Sequence, residues 1–313
     1  MSIRGLERPL DLGEIVDRAV TLSVRQFPKL LALVAIVALP LAILQSFGVN
    51  PLNSYISAIQ AGAKGSPADI GKILAAGPTA RPFDYLVLLI ALLIGPLISG
   101  AMTIAIARSL AGDKLTIASS YAPALRRWPS MLAGLVLWML VAVAGMLVIG
   151  LAIGAAAFLI VRKTGGVPSI ATVIPLVAIF GVGMLVSVPV FAVMYVLAIL
   201  TSTGIMLETK NPFVAFGRSF ARVFARREFL RAMVVAFAIV ASTLVVSLHG
   251  ALVGGVAFAL TKWYPVYIIL AQLFNAVSSI FATAVFTVYY FDVRLRREGS
   301  DLLAVPTAER ALA

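Results

Sequence analysis

The chain has 313 residues, of which 61% are hydrophobic and 12% are charged, and its formal net charge is +12. This composition leaves too little polar surface for a soluble globule, so it indicates an integral membrane protein. It also excludes nucleic acid as a partner, because no soluble region is large enough to carry a basic and aromatic binding face. The sequence contains no cysteine, which excludes disulfides, thiolate nucleophiles and cysteine metal ligands.

Six apolar runs are each long enough for the roughly 20 residues that a membrane-spanning helix requires. They cover approximately residues 30–47, 85–107, 131–161, 170–207, 232–260 and 266–291. Because the runs are continuously apolar, we expect helices and not the alternating strands of a β-barrel. The first run follows a charged segment without a cleavage site, so we expect a retained anchor rather than a signal peptide. We interpret run 170–207 as one span with a bent or partly re-entrant outer end.

Lysine and arginine are concentrated on one predicted side of the membrane. The amino-terminal segment, the connections at 108–130 and 208–231 and the tail together hold 19 of the 25 basic residues. The positive-inside rule therefore predicts a multi-pass protein of the cytoplasmic (inner) membrane with both termini in the cytoplasm. The external loop at 48–82 is expected to hold a short helix, either a lid on the outer interface or an element that docks a partner or gates a substrate.

The motif Arg-x-aromatic precedes three of the apolar runs. Its copies begin at Arg25, Arg126 and Arg227 and are spaced by 101 residues. The equal spacing predicts an all-α integral membrane fold of six transmembrane helices as three repeated units, each an amphipathic cytoplasmic surface helix plus a transmembrane hairpin. The units cover approximately residues 1–107, 108–207 and 208–297 of a single membrane domain (1–313), with a cytoplasmic tail at 298–313.

The three predicted surface helices differ in regularity. In the first, Pro28 is expected to end the helix and to let the chain turn into the bilayer. The second is the least regular, because Pro123 interrupts it. The third is expected to begin with Asn211 as its cap and Pro212 in its first turn. It carries an apolar stripe and a basic row beside it: Phe213, Phe216, Phe220 and Val223, and Arg218, Arg222 and Arg226.

The basic residues of these segments are the candidate lipid- or partner-binding residues. They are Arg25, Arg126, Arg127, Arg218, Arg222, Arg226, Arg227 and Arg231. Like charges one turn apart repel, so the third helix gains if anionic headgroups, an acidic protein face or the amino-terminal acids neutralise its row. Expected partners are therefore membrane lipids with anionic headgroups, or a cytoplasmic or membrane protein. The alternative is positive-inside anchoring without specific recognition.

The last apolar run carries a polar stripe at helical spacing. Its members are Gln272, Asn275, Ser279 and Thr283. The stripe is expected to face protein or water rather than lipid, packed against spans five or one. It acts either as hydrogen-bonding glue, at about 0.6 kcal/mol per contact, or as the lining of a path for polar neutral ligands. No span contains Asp, Glu, Lys or Arg, so we predict no catalytic residue, metal site or cofactor, and His249 is interpreted as an interfacial or helix-packing residue.

Three segments show a family resemblance. They are PLDLGEIVDRAVTLSVRQFPKLL (9–31), NPFVAFGRSFARVFARREFLRAM (211–233) and VYYFDVRLRREGSDL (288–302). Together they resemble the glycerophosphoryl diester phosphodiesterase membrane-domain family, whose membrane region precedes a soluble phosphodiesterase domain or occurs alone. The resemblance implies a membrane region without that enzyme's activity, because one histidine cannot supply the two-histidine, acid-rich metal site of the catalytic domain.

Three classes of function remain open at this point. The first is a non-enzymatic scaffold or accessory module that engages anionic lipid or a partner through the basic cytoplasmic helices. The second is a transporter component for lipid or small neutral solutes, powered by a separate ATPase, since no buried carboxylate is available for ion coupling. The third is a membrane-embedded enzyme that modifies lipids.

Overall fold

The computed structural model describes residues 8–47, 82–163, 170–225 and 228–298. These residues form seven helices and no strand, which agrees with the predicted all-α class. The helices are α1 (Leu12–Ser46), α2 (Pro82–Ala111), α3 (Ile117–Lys163), α4 (Ile170–Leu207), α5 (Pro212–Val223), α6 (Phe229–Thr261) and α7 (Tyr264–Glu298). The predicted loop helix within 48–82 and the tail after residue 298 lie outside the described residues.

All of these helices except α5 are long and apolar enough to cross a membrane. Large apolar side chains cover their outer surfaces, as at Leu151 and Leu185, whose exposed fractions are 71% and 74%. Contiguous apolar surface of this kind is stable when hydrocarbon covers it. The six helices therefore match the six predicted spans and are those of a multi-pass membrane protein.

Two predicted helix boundaries are wrong. Helix α1 continues through Pro28, and α3 continues through Pro123 and Pro129, so neither surface segment is separated from its span. Each proline removes one backbone hydrogen bond, but a break would expose several more polar groups near hydrocarbon, and a continuous helix keeps them bonded. Among the described residues, only the third unit has a separate surface helix, α5. Residues 170–207 form one continuous helix, as predicted, but without a re-entrant segment.

The predicted start of α5 is confirmed. The side-chain oxygen of Asn211 accepts hydrogen bonds from the backbone N–H groups of Phe213 and Val214, at 3.0 and 3.4 Å. Pro212 occupies the first turn, where its missing N–H group is not needed. The sequence thus determines where α5 begins after the end of α4.

The six long helices pack as a closed ring with an inner triangle. Helices α2, α4 and α7 contact one another and form the triangle. Helix α1 packs between α7 and α2, α3 between α2 and α4, and α6 between α4 and α7, while α5 lies on α3 and α4. The largest fully buried side chains include Phe286, Tyr289 and Tyr290, all on α7. Helix α7 therefore occupies the centre of the packing and contributes to the polar cavity and to both charged clusters described below.

Positions spaced by 101 residues share their burial in the first helix of each predicted unit. Leu30, Met131 and Ala232 are all buried, with exposed fractions of 0%, 2% and 1%. One turn later, Leu33 and its two counterparts at 134 and 235 are buried as well. The same faces of α1, α3 and α6 therefore point toward the inner triangle.

Candidate functional site

A cavity of about 460 Å³ lies between α1, α2, α4, α6 and α7. Its wall includes the complete polar stripe predicted from the sequence: Gln272, Asn275, Ser279 and Thr283. Further hydroxyl groups come from Ser99, Tyr195, Thr243 and Ser278. Thr283 lies nine residues before Asp292 on α7, which corresponds to about 14 Å along the helix axis. The cavity is therefore set back from the charged end of the bundle, within the apolar part of the helices.

Part of the stripe joins neighbouring helices. Gln272 Nε2 donates to Gln45 Oε1 of α1 at 2.8 Å, and Asn275 Oδ1 accepts from Ser247 Oγ of α6 at 3.1 Å. These two helices are spans one and five, the neighbours expected from the sequence. A third pair, Ser278 Oγ and Thr243 Oγ1, lies 3.1 Å apart. Hydrogen bonding between helices therefore accounts for the amide members of the stripe.

The hydroxyl members of the stripe are different. Within the described part of the chain, Ser279 and Thr283 make no side-chain hydrogen bond, although both line the cavity. Among the residues that the structure describes, those that line the cavity include no acidic, basic or histidine side chain. A polar cavity without charge suits a ligand with hydroxyl, amide or ester groups, because an unpaired ion would lose its hydration without compensation.

The charged residues gather at the opposite end of α7, in two clusters. The first is the amino-terminal clamp, formed by Leu10, Arg231, Asp292 and Arg296. The side chain of Asp292 is completely buried, and its Oδ2 lies 3.1 Å from Arg231 Nη1 and 3.0 Å from Arg296 Nε. Buried carboxylates are stable when both oxygens are paired in this way.

The clamp holds the backbone of Leu10 from both sides. Asp292 Oδ1 accepts the Leu10 N–H group at 2.7 Å. The Leu10 carbonyl accepts from Arg231 Nη2 at 2.6 Å and from Arg296 Nη2 at 2.8 Å. The segment before α1 is therefore fixed to α6 and α7, and the ring of helices is closed on the side of its first member.

The second cluster surrounds Glu208, which follows directly after α4. Its Oε1 accepts from Arg222 Nη2 at 2.6 Å, and its Oε2 lies 3.2 Å from Arg218 Nη1. The Arg222 guanidinium carbon also lies 5.2 Å from the centre of the Tyr290 ring. Burial raises the pKa of Glu208, but the Tyr290 hydroxyl and the Arg222 guanidinium outweigh it and hold that pKa below the usual value. This cluster joins α4, α5 and α7.

The predicted basic row of α5 is therefore wrong at Arg222. That side chain is only 6% exposed and points into the bundle. The buried face of α5 consists of Ala215, Ser219, Arg222 and Val223, whereas Phe213 and Phe220 of the predicted apolar stripe are exposed. In a membrane, the small and polar side chains contact protein and the aromatic ones face outward.

The other predicted basic residues fall into three groups. Arg127 and Arg231 are turned inward, and Arg127 Nη1 donates to the Ile205 carbonyl at 2.6 Å. Arg25, Arg126 and Arg218 are exposed. Arg226 and Arg227 lie outside the described residues. The set is thus divided between internal contacts and the surface, and it does not form one continuous row.

The expectation that the protein has no buried carboxylate is wrong, because the side chains of Glu208 and Asp292 are only 5% and 0% exposed. Glu208 and Asp292 each follow the last apolar residues of a span, and that position was the available signal. The positive-inside rule counts only Lys and Arg, so it gave these two acids no role. The sequence also gave no reason to single out Thr243 and Ser278, because single hydroxyl residues in apolar runs commonly bond to their own helix backbone.

The described residues contain no group of three or more His, Asp or Glu side chains that could hold a metal ion. His249 lies away from the cavity wall, and its Nδ1 is 2.7 Å from the Val245 carbonyl of its own helix. The chain matches no protein-family model, no curated protein and no solved structure. The family resemblance stays an expectation that rests on the three sequence segments.

Proposed function

We propose that this protein is a non-enzymatic membrane protein that binds a polar, uncharged group in the cavity between α1, α2, α4, α6 and α7. The observation that carries the proposal is the uncharged polar lining, in which the Ser279 and Thr283 hydroxyls have no partner within the described part of the chain. A component that transports or presents lipid or a small neutral solute requires such a site.

The alternative role of the stripe is hydrogen-bonding glue. Glue explains Gln272 and Asn275, which bond to Gln45 and Ser247. It does not explain the Ser279 and Thr283 hydroxyls, which are unbonded within the described residues and would be dispensable if the helices only had to associate. Hydroxyl groups that line a cavity and have no protein partner are available to water or to a ligand. The cavity is also within the usual size range for small-molecule sites, roughly 300–1,000 Å³.

Cysteine accessibility tests this proposal, and the chain is free of native cysteine. Thr283→Cys and Thr287→Cys form a matched pair, one helical turn apart on α7. Thr283 lines the cavity, whereas Thr287 is completely buried and donates to the Thr283 carbonyl. The probe is N-ethylmaleimide, which reacts with a thiol where water can ionise it.

We expect Thr283→Cys to be alkylated much faster than Thr287→Cys in protein reconstituted in lipid. A second measurement adds glycerol, an uncharged polyol, and we expect it to slow the alkylation of Thr283→Cys alone. Equal, slow alkylation of both variants at matched protein yield would mean that the cavity is dry and would overturn the proposal.

A second function, engagement of anionic lipid at the cytoplasmic surface, is favoured by the outer face of α5. Phe216 and Phe220 of α5 and Phe224, which follows the helix, form a row of neighbouring rings with centroid distances of 6.4 and 4.4 Å. Phe220 and Phe224 are 47% and 46% exposed. Arg218 beside the row is 54% exposed. Rings that enter the acyl boundary next to an exposed cation are typical of an interfacial helix.

Native mass spectrometry of Arg218→Gln tests this second function. We expect less co-purified phosphatidylglycerol than in the wild type. Lys262→Gln is the control, because it removes the same charge at the opposite end of the bundle, between α6 and α7. If both variants retain equal amounts of anionic lipid, Arg218 has no specific role in lipid recognition.

We also propose that both termini are cytoplasmic and that the protein consists of three equivalent units. The basic residues support the orientation. The packing supports the units, because the first helix of each unit (α1, α3 or α6) contacts the second helix of its own unit. It also contacts the second helix of the unit before it in the ring, which for α1 is the third unit. Thiol labelling of intact cells tests the orientation, since Lys262→Cys should react with an impermeant reagent and Asp113→Cys should not.

A further inference from the structure

A second cavity adjoins the first. It has a volume of about 290 Å³ and lies between α2, α3 and α4. Its wall is mostly apolar, with Leu92, Met131 and Leu135 among its members, and Trp138 forms one side. The indole Nε1 of Trp138 donates to the Met194 carbonyl at 2.9 Å, which holds the ring in the wall. This second space therefore has the chemistry of an acyl-chain site.

The two cavities share Gly95 and Ser99 of α2 in their walls. A Cβ atom built on Gly95 would meet no other atom within 4 Å, so the absence of a side chain there leaves open space. By contrast, a Cβ on Gly134, in the wall of the second cavity, would approach Ile205 Cδ1 to 2.7 Å. Gly134 thus serves close packing, whereas Gly95 keeps the boundary between the cavities free of a side chain.

We infer that the two cavities hold a single amphiphilic ligand, an uncharged lipid with a hydroxyl-bearing headgroup. The headgroup lies against Ser279 and Thr283, and one acyl chain passes Gly95 and lies beside Trp138. This inference rests on the proposed binding of an uncharged polar group in the first cavity, and it adds the class of ligand.

The charges of the protein explain why the headgroup is uncharged. An anionic headgroup would need a cation in the wall, and the described residues that line the two cavities include none. The basic residues of α7 nearest to the cavity are engaged elsewhere. Arg294 Nε lies 3.4 Å from Glu208 Oε1, and Arg296 is bonded to Asp292 and to the Leu10 carbonyl. A small polar solute would fill the first cavity but would give no reason for the apolar extension.

Tryptophan fluorescence gives a direct test. The variant Trp128→Phe/Trp263→Phe retains only Trp138, in the wall of the second cavity. The variant Trp128→Phe/Trp138→Phe retains only Trp263, which is 60% exposed between α6 and α7 and reports on bulk lipid. Each protein is reconstituted in phosphatidylcholine vesicles that contain a minor fraction of either brominated-chain diacylglycerol or brominated-chain phosphatidylglycerol, because bromine quenches a ring only at close range.

We expect diacylglycerol to quench Trp138 several-fold more than phosphatidylglycerol does at the same mole fraction, and the two lipids to quench Trp263 equally. Gly95→Leu should abolish the excess quenching of Trp138 by filling the boundary between the cavities. Gly145→Leu, on α3 and outside both walls, is its control and should retain the excess. Loss of the excess in both variants would show that Gly95 has no special role and would overturn the path past it.

The measurements distinguish failure of the lipid inference from failure of the proposed binding site. One outcome is that Thr283→Cys is reactive and protected by glycerol while both lipids quench Trp138 equally. The contact of Trp138 with lipid is then unspecific, the ligand is a small solute, and only the lipid inference is overturned. If Thr283→Cys is unreactive and Trp138 shows no preference, the cavity binds nothing and both proposals are overturned. Excess quenching without reactivity of Thr283→Cys would place the headgroup outside the polar cavity and would also overturn the inference.

Discussion

The carboxyl end and the middle of α7 use polar groups in opposite ways. At its carboxyl end, Asp292 and the arginines around it bring full charges together, and the acid is bonded on both oxygens. In its middle, the cavity uses only neutral polar groups, and the Ser279 and Thr283 hydroxyls stay unbonded within the described residues. A carboxylate that is bonded on both oxygens suits a structural role, because neither oxygen is left to bind a ligand. Open partners suit recognition.

This comparison separates stability from binding. Substitutions in the clamp or at Glu208 should unfold the protein without a change in ligand selectivity, because those groups contact only the protein. Substitutions in the cavity should change ligand selectivity and leave stability nearly unchanged. The following predictions test this separation, and thermal unfolding in detergent measures each change in stability.

The largest effect is expected at Asp292. Asp292→Ala removes the acceptor of the Leu10 N–H group and leaves Arg231 and Arg296 without their carboxylate. Loss of one partner from a buried ion pair costs about 3–5 kcal/mol. Asp113→Ala is the control, because Asp113 is exposed in the connection between α2 and α3 and should change stability little. Equal stability of the two variants would show that the clamp does not stabilise the fold.

A smaller loss is expected at Glu208. Glu208→Gln retains an oxygen that can accept from Arg222 but removes the negative charge, and a hydrogen bond to a charged group contributes about 1.5–3 kcal/mol. The same substitution at Glu14, whose side chain is 34% exposed and pairs with Arg8, is the control. A comparable loss at both sites would contradict the importance of burial at Glu208.

The effect at Glu208 also depends on pH. Because its pKa is lower in the folded protein than the ordinary 4.5, the carboxylate stabilises the fold fully above about pH 4.5. That contribution is lost as the pH falls from there toward the lower pKa of the folded state. The stability difference between wild type and Glu208→Gln should therefore narrow below pH 4.5. A difference that stays constant in acid would contradict the lowered pKa.

Two adjacent arginines should differ in the same way. Arg127→Met leaves the buried Ile205 carbonyl without its donor and should cost about 1.5 kcal/mol, whereas Arg126→Met, at an exposed position, should change stability by less than about 0.5 kcal/mol. The neighbouring positions share sequence context and helix propensity, so the comparison isolates burial. Equal losses would indicate that the charge of this segment matters and that the bond to Ile205 does not.

These residues show how far the sequence predicts the fold. Hydropathy located all six long helices, and the Asn211-Pro212 pair located the start of α5. The inward position of Arg222 could not be predicted, because helical periodicity shows which residues share a face but not which face contacts protein. In water the apolar face is the buried one. In α5, by contrast, Phe213 and Phe220 are exposed, whereas Arg222 is buried against Glu208 and Tyr290.

The candidate site was predictable only in part. The spacing of Gln272, Asn275, Ser279 and Thr283 identified one wall of the cavity, since a single helix carries all four. The remainder is formed by Ser99 and Thr243 on other helices, and the packing of α2 and α6 against α7 brings them together. Such a contribution depends on tertiary structure, so a lone hydroxyl in an apolar run gives no signal.

The smallest effect on stability is expected at the stripe. Ser279→Ala and Gln272→Leu should each change stability by no more than about 0.6 kcal/mol, the average for a hydrogen bond between membrane helices. Ser279→Ala should nevertheless weaken the protection of Thr283→Cys by glycerol. A stability loss as large as that of Asp292→Ala would show that the stripe has a structural role. The cavity and the charged clusters would then not differ in function.

The clamp on Leu10 also sets the timing of assembly during synthesis. Leu10 and Asp292 are separated by 282 residues, which the ribosome adds in on the order of 15–60 seconds. During that interval α1 can pack on α2, but its seam with α7 is open and the Leu10 backbone has only water as a partner. The wall of the polar cavity includes both α1 and α7, so the cavity comes into existence only when the last helix is inserted.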